Sequence, residues 1–177
     1  MTDAQLTASI RVVPDFPVNG IQFFDVTTLF KDTAAYEEVL DRICAIYKDK
    51  GITKVAGIES RGFIAGAAVA ARLGAGFVPI RKPGKLPADT VSESYAKEYG
   101  TDTIEIHADA ITPDDVVLIH DDILATGGTA LAAIRLVKHF NPKAVFLNFI
   151  IDITDVPRTA PFPEDVEVSS VLHLSER

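Results

Sequence analysis

The stretch VVLIHDDILATGGTALAAIRLV, residues 116 to 137, holds an apolar run, two adjacent acids, a small-residue loop and an amphipathic run in that order. Its periodicity passes from that of a strand, Val116 to His120, to that of a helix, Thr129 to Phe140. The loop between them puts the backbone N–H groups of Ala125 to Thr129 at a helix N-terminus, where unpaired donors and the positive end of the dipole suit a phosphate. Gly127 and Gly128 allow close approach of the backbone and positive φ, and the hydroxyls of Thr126 and Thr129 can donate to phosphate oxygens. Asp121 and Asp122 leave the carboxyl end of the strand, where open α/β sheets bind ligands, and are positioned to accept from two ribose hydroxyls. Each piece alone has a plainer reading, since acids cap helices and glycine pairs make loops. Together they point to a phosphorylated ribose held by residues 121 to 129, with chemistry at the sugar carbon.

Outward from this stretch, apolar runs alternate with helical patterns, which predicts an α/β fold. A helix is expected from Asp32, its N-cap, to Lys50 before Gly51, with Tyr36, Val39, Leu40, Ile43 and Tyr47 on one face. Strand Lys54 to Glu59, helix Phe63 to Leu73 and strand Gly76 to Ile80 have the spacing of a right-handed βαβ unit. Further strands are expected at Thr103 to Ile106, Ala144 to Ile151 and Val168 to Leu172. The connection over residues 81 to 100 is longer than most loops in compact domains and carries Arg81, Lys82 and Lys85, so it reads as a basic, mobile lid. Gly57 to Gly62 has GxxxxG spacing but continues Phe63, Ile64 in place of Lys and Ser/Thr, and no GxGxxG opens a helix, which disfavours nucleotide-triphosphate hydrolysis and dinucleotide binding.

Composition sets the frame. With 177 residues, 47% hydrophobic and 24% charged, the chain fits one domain with a real core. No stretch approaches the roughly 20 uninterrupted apolar residues of a spanning helix, and the N-terminal MTDAQLTASIR has neither a basic head nor an apolar run, so a cytoplasmic protein is expected. Cys44, the single cysteine, has no internal disulfide partner and no ligand spacing, and reads as a small buried apolar residue. A net charge of -8 repels nucleic acid and anionic membrane, so neither is expected as a partner and an anionic ligand must be caught by a local basic cluster.

The acid pair followed by ATGGT resembles the phosphoribosyl-diphosphate motif of type I phosphoribosyltransferases, and the wider chain resembles the adenine-using members of that family. The segments FPVNGIQFFDVTTLFKD (16 to 32), GIESRGFIAGAAVAARLG (57 to 74), FVPIRKPGKLP (77 to 87) and SYAKEYGTDTIEIHADAI (94 to 111) occur in that family's order. The resemblance covers roughly residues 10 to 151, and the tail from Asp152 adds little to it. It implies a mostly parallel central sheet flanked by helices, a mobile lid over about 81 to 100, and a small base-binding hood over about 1 to 30. It also implies a homodimer.

Residue by residue, the resemblance implies that Ala125, Thr126, Gly127, Gly128 and Thr129 hold a 5′-phosphate and that Asp121 and Asp122 face the ribose hydroxyls. Glu59, Ser60, Arg61 and Gly62 become the loop that receives pyrophosphate, with an unusual peptide geometry. Arg81, Lys82 and Lys85 meet the diphosphate, and Arg61 joins Lys85 in stabilising it as it leaves. Glu98, beside Tyr99, becomes the catalytic carboxylate that manages the proton on the purine. Phe23 on one side and Ile123 or Leu124 on the other make the slot for the base, with backbone groups around Gln22 and Phe24 reading its edge. This chain departs from the pattern twice: Phe24 stands where such enzymes often have Arg, and His120 stands in place of an aliphatic residue before Asp121.

The implied reaction is displacement of pyrophosphate from phosphoribosyl diphosphate by adenine, giving AMP. It requires Mg²⁺ bound mainly through substrate phosphates and ribose hydroxyls, with no dedicated protein ligands. Two alternatives stay open. One is transfer to a 6-oxopurine or orotate, against which stands the lack of a lysine in Ala144 to Ile151. The other is a non-catalytic sensor of phosphoribosyl diphosphate that binds nucleic acid, against which stand the acidic charge and the absence of an extra helix-turn-helix segment.

Overall fold

The computed structural model describes residues 1–97 and 100–176. Helix α1 (Asp3–Ala8) opens on a capping box in which Thr2 and Gln5 satisfy each other's backbone donors. The hairpin β1 (Arg11–Pro14) and β2 (Gln22–Asp25) and the single turn α2 (Thr27–Phe30) follow. Helix α3 (Thr33–Tyr47) is capped by Asp32, whose side chain accepts from the Ala35 amide. Then come β3 (Lys54–Ile58), α4 (Gly62–Leu73), β4 (Gly76–Ile80), β5 (Thr90–Ala96), β6 (Thr101–His107), β7 (Val116–Leu124), α5 (Gly128–Lys138), β8 (Ala144–Ile153) and β9 (Glu167–Leu174).

Five of these strands form one parallel sheet in the order β4-β3-β7-β8-β9. Successive side chains on a strand face opposite ways. Val55 and Leu118 therefore join α3, α4 and the N-terminal elements in one apolar cluster, while Ala56, Val117 and Ile119 join α5 in another. Both faces are covered, as parallel sheets require. The α/β expectation and the flanking helices stand. Cys44 packs partly buried against the first cluster, and burial pushes its thiol pKa up. Among the described residues no helix is long and apolar enough to cross a membrane.

Three expectations are corrected. Strand β7 runs on through Leu124, because β8 keeps pairing with it at Asp121↔Phe149 and Ile123↔Ile151, so the acid pair lies within the strand rather than beyond it. The run at 103–106 does not join the central sheet. Only Ile104 and Ile106 of β6 are buried, which suits a strand with one covered face, and it pairs antiparallel with β5. Thr90–Ala96, seven residues of the connection over 81 to 100, therefore form a regular hairpin arm, and the connection is tied at its start by mutual hydrogen bonds between the Arg81 and Glu105 backbones of 2.7 and 2.9 Å.

Candidate functional site

Three cavities at the carboxyl ends of β3, β4 and β7 meet at Asp121. One, of about 190 Å³, is walled by Glu59, Arg81, Lys82, Tyr95, Asp102 and Thr129. A second, of about 110 Å³, lies over Ile123 to Ala130. The third, of about 260 Å³, is bounded by Glu59, Ser60, Arg61, Asp121 and Asp122. The loop at residues 59–62 and the one at 125–129 thus meet at Asp121.

The floor is the acid pair. Asp122 is 3% exposed and receives the Arg61 guanidinium through a short Nε bond to Oδ2. Asp121 has lost most of its hydration and stands beside the Asp122 charge, and both effects raise its pKa well above the ordinary carboxylate value. The same Arg61 guanidinium lies 5.6 Å from the Phe23 ring centre, and Phe16 packs edge-on against that ring at 5.1 Å. Arg61 therefore links β2, through Phe23, to the acid pair. The Glu59–Ser60 peptide ahead of it is cis, the unusual geometry expected there. Gly62 opens α4 so close to β7 that an added Cβ would stand 2.7 Å from the His120 carbonyl oxygen.

At the second loop, Gly127 has φ +83° and is the N-cap of α5, with no side chain capping the helix. The first-turn amides of a helix have no partner within it. The loop is backed by the connection from β8 to β9. Arg158 donates from one guanidinium nitrogen to the carbonyls of Ala125, Ile153 (3.1 Å) and Val156 (3.3 Å), and from the other to Asp152. The Thr159 amide donates to the Thr126 carbonyl at 2.8 Å, and the Phe162 ring packs on Gly127.

The third wall is cationic but internally matched. Asp102, on β6, accepts from Lys82, from Lys97 at 2.6 Å and from the Tyr95 hydroxyl at 3.2 Å. These hydrogen bonds, with that from Lys82 foremost, hold its pKa well below the usual carboxylate range. Tyr95 in turn accepts from the Thr129 hydroxyl at 2.9 Å, which joins the hairpin to the phosphate-type loop. Glu59 accepts from the Lys82 amide at 2.8 Å and from Arg81 at 3.3 Å, and its pKa is lowered, chiefly by the Lys82 amide bond.

Beneath the floor, His120 is fully buried. Its Nδ1 lies 3.0 Å from Asn148 Oδ1, while its Nε2 has no hydrogen-bond partner in the protein. Burial pushes its pKa down to about 4 against the opposing pull of Asn148 and Asp122, so the ring is neutral at pH 7. Asn148 continues to Ser169 (2.8 Å) and Ser169 to the Tyr47 hydroxyl (2.7 Å), a polar thread across β7, β8 and β9 to α3. The Tyr47 pKa is pushed up to about 12 by burial.

Among the expected residues, Glu59, Ser60, Arg61, Gly62, Arg81, Lys82, Asp121, Asp122 and the 123–129 run gather at these cavities. Phe23 is joined to them through Arg61. Phe24 turns its side chain into the main core at 6% exposure, leaving only its backbone for a ligand. Gln22 and Lys85 are exposed outside the three cavities. Glu98 and Tyr99 lie outside the described residues. Tyr95, Lys97, Asp102, Arg158 and Thr159 were not anticipated, because no local motif marks them and their links to Lys82, Thr129, Ala125 and Thr126 form only on folding.

This architecture, an acid pair leading through a small-residue loop into a helix beside a cationic wall, agrees with a match of residues 26–169 to the family described as phosphoribosyl transferase domain. The chain belongs to that family. Over 174 residues, 98% of this chain and all of the relative, it is 60% identical to the adenine phosphoribosyltransferase of Phocaeicola vulgatus. The crystal structure of adenine phosphoribosyltransferase from Rhodothermus marinus superposes with a TM-score of 0.91 at 49% identity, covering 97% of this chain and 98% of that one. The Giardia lamblia enzyme, solved in complex with 9-deazaadenine, superposes with a TM-score of 0.87 at 41% identity, with 98% of each chain covered. Within the family, the chain groups with the adenine phosphoribosyltransferases.

Proposed function

We propose that the protein transfers the 5-phosphoribosyl group of phosphoribosyl diphosphate to adenine, giving AMP and pyrophosphate in purine salvage. The observation that carries this reading is the convergence of phosphate-type loop, acid pair and cationic wall on Asp121. The relatives' identity with adenine enzymes supports the choice of base.

In this mechanism Ala125 to Thr129 hold the 5′-phosphate, and Asp121 and Asp122 accept from the ribose hydroxyls. Arg61, Arg81, Lys82 and Lys85 meet the diphosphate. The C1′–O bond breaks as the purine nitrogen bonds to C1′, the electron pair departs with pyrophosphate, and Glu98 takes the purine proton. Charge building on the sugar is stabilised by the acid pair, and charge on the leaving group by Arg61 and Lys85. Phe23 and Ile123 or Leu124 bracket the base, whose edge is read by backbone around Gln22 and Phe24. By resemblance, the lid expected over residues 81 to 100 closes over the reacting carbon and excludes water.

Mg²⁺ would be carried in mainly on the phosphates and ribose hydroxyls of the substrate, and among the described residues no group of His, Cys, Asp and Glu forms a dedicated metal site. The ion would supply neutralisation of diphosphate charge. The protein acts as a homodimer in the cytoplasm, without nucleic acid or membrane partners.

The test is turnover of adenine, hypoxanthine, guanine, xanthine and orotate with phosphoribosyl diphosphate and Mg²⁺, with Glu98→Ala alongside. Adenine alone is expected to react, and Glu98→Ala to lose about 100-fold or more in kcat. Turnover of another base moves the specificity, and tight binding without any turnover sinks the enzymatic reading.

A further inference from the structure

We infer that Arg158 is a positioning residue for the 5′-phosphate, acting from behind the loop through the carbonyls of Ala125 and its neighbours. The inference rests on the proposed role of residues 125–129. In a planar trans peptide the C=O and the following N–H point in opposite directions. Arg158 holds the Ala125 carbonyl on the side of the β8–β9 connection, and the Thr159 amide holds the Thr126 carbonyl on that same side. The N–H groups of Thr126 and Gly127 belong to those two peptides, so both are turned away from the connection. Two successive amides aimed together make an anion-binding concavity.

The residue type follows from the task. A guanidinium presents its donors in one plane: Nη1, with two hydrogens of which one is shared, reaches the carbonyls of Ala125, Ile153 and Val156 while Nη2 is held by Asp152. An ammonium has no such plane. The Arg158 side chain is 26% exposed and that of Asp152 20%, so the pair is shielded yet outside the three cavities. Phe162 closes the same side against Gly127, where an added Cβ would come within 3.3 Å of the ring. A segment that resembles little in sequence thus sets the direction of the donors in a loop that resembles much.

The experiment compares AMP with adenosine, ligands that differ by the 5′-phosphate alone, by calorimetric titration of the wild type, Arg158→Met and Arg158→Lys. In the wild type AMP is preferred. Arg158→Met is expected to cut that preference about 10-fold or more while leaving adenosine affinity within about 2-fold, and Arg158→Lys to recover part of it. In turnover, KM for phosphoribosyl diphosphate rises with kcat little changed. A wild-type preference that survives Arg158→Met overturns the inference, as does equal weakening of both ligands. A wild type that binds AMP no better than adenosine overturns the reading of the loop and the inference with it. Should Arg158→Met fail to fold, Asp152→Asn, which frees the guanidinium without removing it, must lower the same preference for the inference to stand.

Discussion

The loop at 125–129 and the hairpin of β5 and β6 face one cavity system, yet they meet an anion in different ways. In the loop the donors are backbone amides whose direction is set by hydrogen bonds on the far side, so nothing must let go before they act. On the hairpin side the donors are Lys82 and Lys97, and both are already engaged by Asp102. The first region is preorganised, and the second has to exchange partners. In a chain of net charge -8, matched cations keep the site from drawing small anions indiscriminately, at some cost in affinity for the right one.

The largest effect should come from breaking the preorganised side. Gly127→Val forces a β-branched residue into φ +83° and pushes a methyl group toward Phe162, so KM for phosphoribosyl diphosphate is expected to rise about 100-fold, as when a preorganised donor is lost, in steady-state assays. The strand that carries the loop should reveal itself in pH dependence. His120 is neutral in the fold, with its pKa lowered from 6.5 to about 4, so below pH 6.5 the unfolded chain binds a proton that the folded chain refuses. Stability contributed by this group is complete above pH 6.5 and falls as pH drops toward 4, by on the order of 3 kcal/mol in total. Urea unfolding at pH 7.5 and 4.5 should show that loss in the wild type and a clearly smaller one in His120→Leu.

The exchanging side should respond more mildly and in the opposite sense. Asp102→Asn releases Lys82 and Lys97, so KM for phosphoribosyl diphosphate should fall about 3-fold at low salt, with the gain shrinking as salt is added. A rise in KM would mean that Asp102 aims the lysines rather than occupying them. Smallest is Tyr95→Phe, which cuts the one hydroxyl bridging Thr129 and Asp102. Release of the Thr129 hydroxyl should change KM about 2-fold, again downward.

The two regions were also unequally legible in the sequence. Asp121 to Thr129 could be read because strand, acids, glycines and helix are consecutive, and local order carries the geometry. The near-continuous apolar runs of β3 and β8, buried on both faces, and the helical faces of α3 and α5 were equally local, so the α/β architecture followed. What escaped depends on chain pieces that meet only after folding. Asp102 collects Lys82 across 20 residues, and Arg158 reaches Ala125 across 33. Strand β5 escaped because its residues alternate weakly and, among the described residues, it pairs with β6 alone, which itself read as part of the main sheet. The tail from Asp152 looked uninformative because a guanidinium on carbonyls leaves no motif.

Close packing of α4 against the sheet has a consequence for descent. A Cβ at Gly62 would meet a main-chain oxygen at 2.7 Å, and one at Gly57 would meet the Gly62 carbonyl oxygen at 2.9 Å and the Phe77 ring at 2.7 Å. A side chain can yield to a newcomer, whereas main chain on a central strand cannot. Drift through successive generations should therefore pass freely over the exposed positions of this helix, at Ile64 or Ala71, and halt at these two glycines. Lineages that have long since parted would keep them as inherited scars of one helix laid against one sheet.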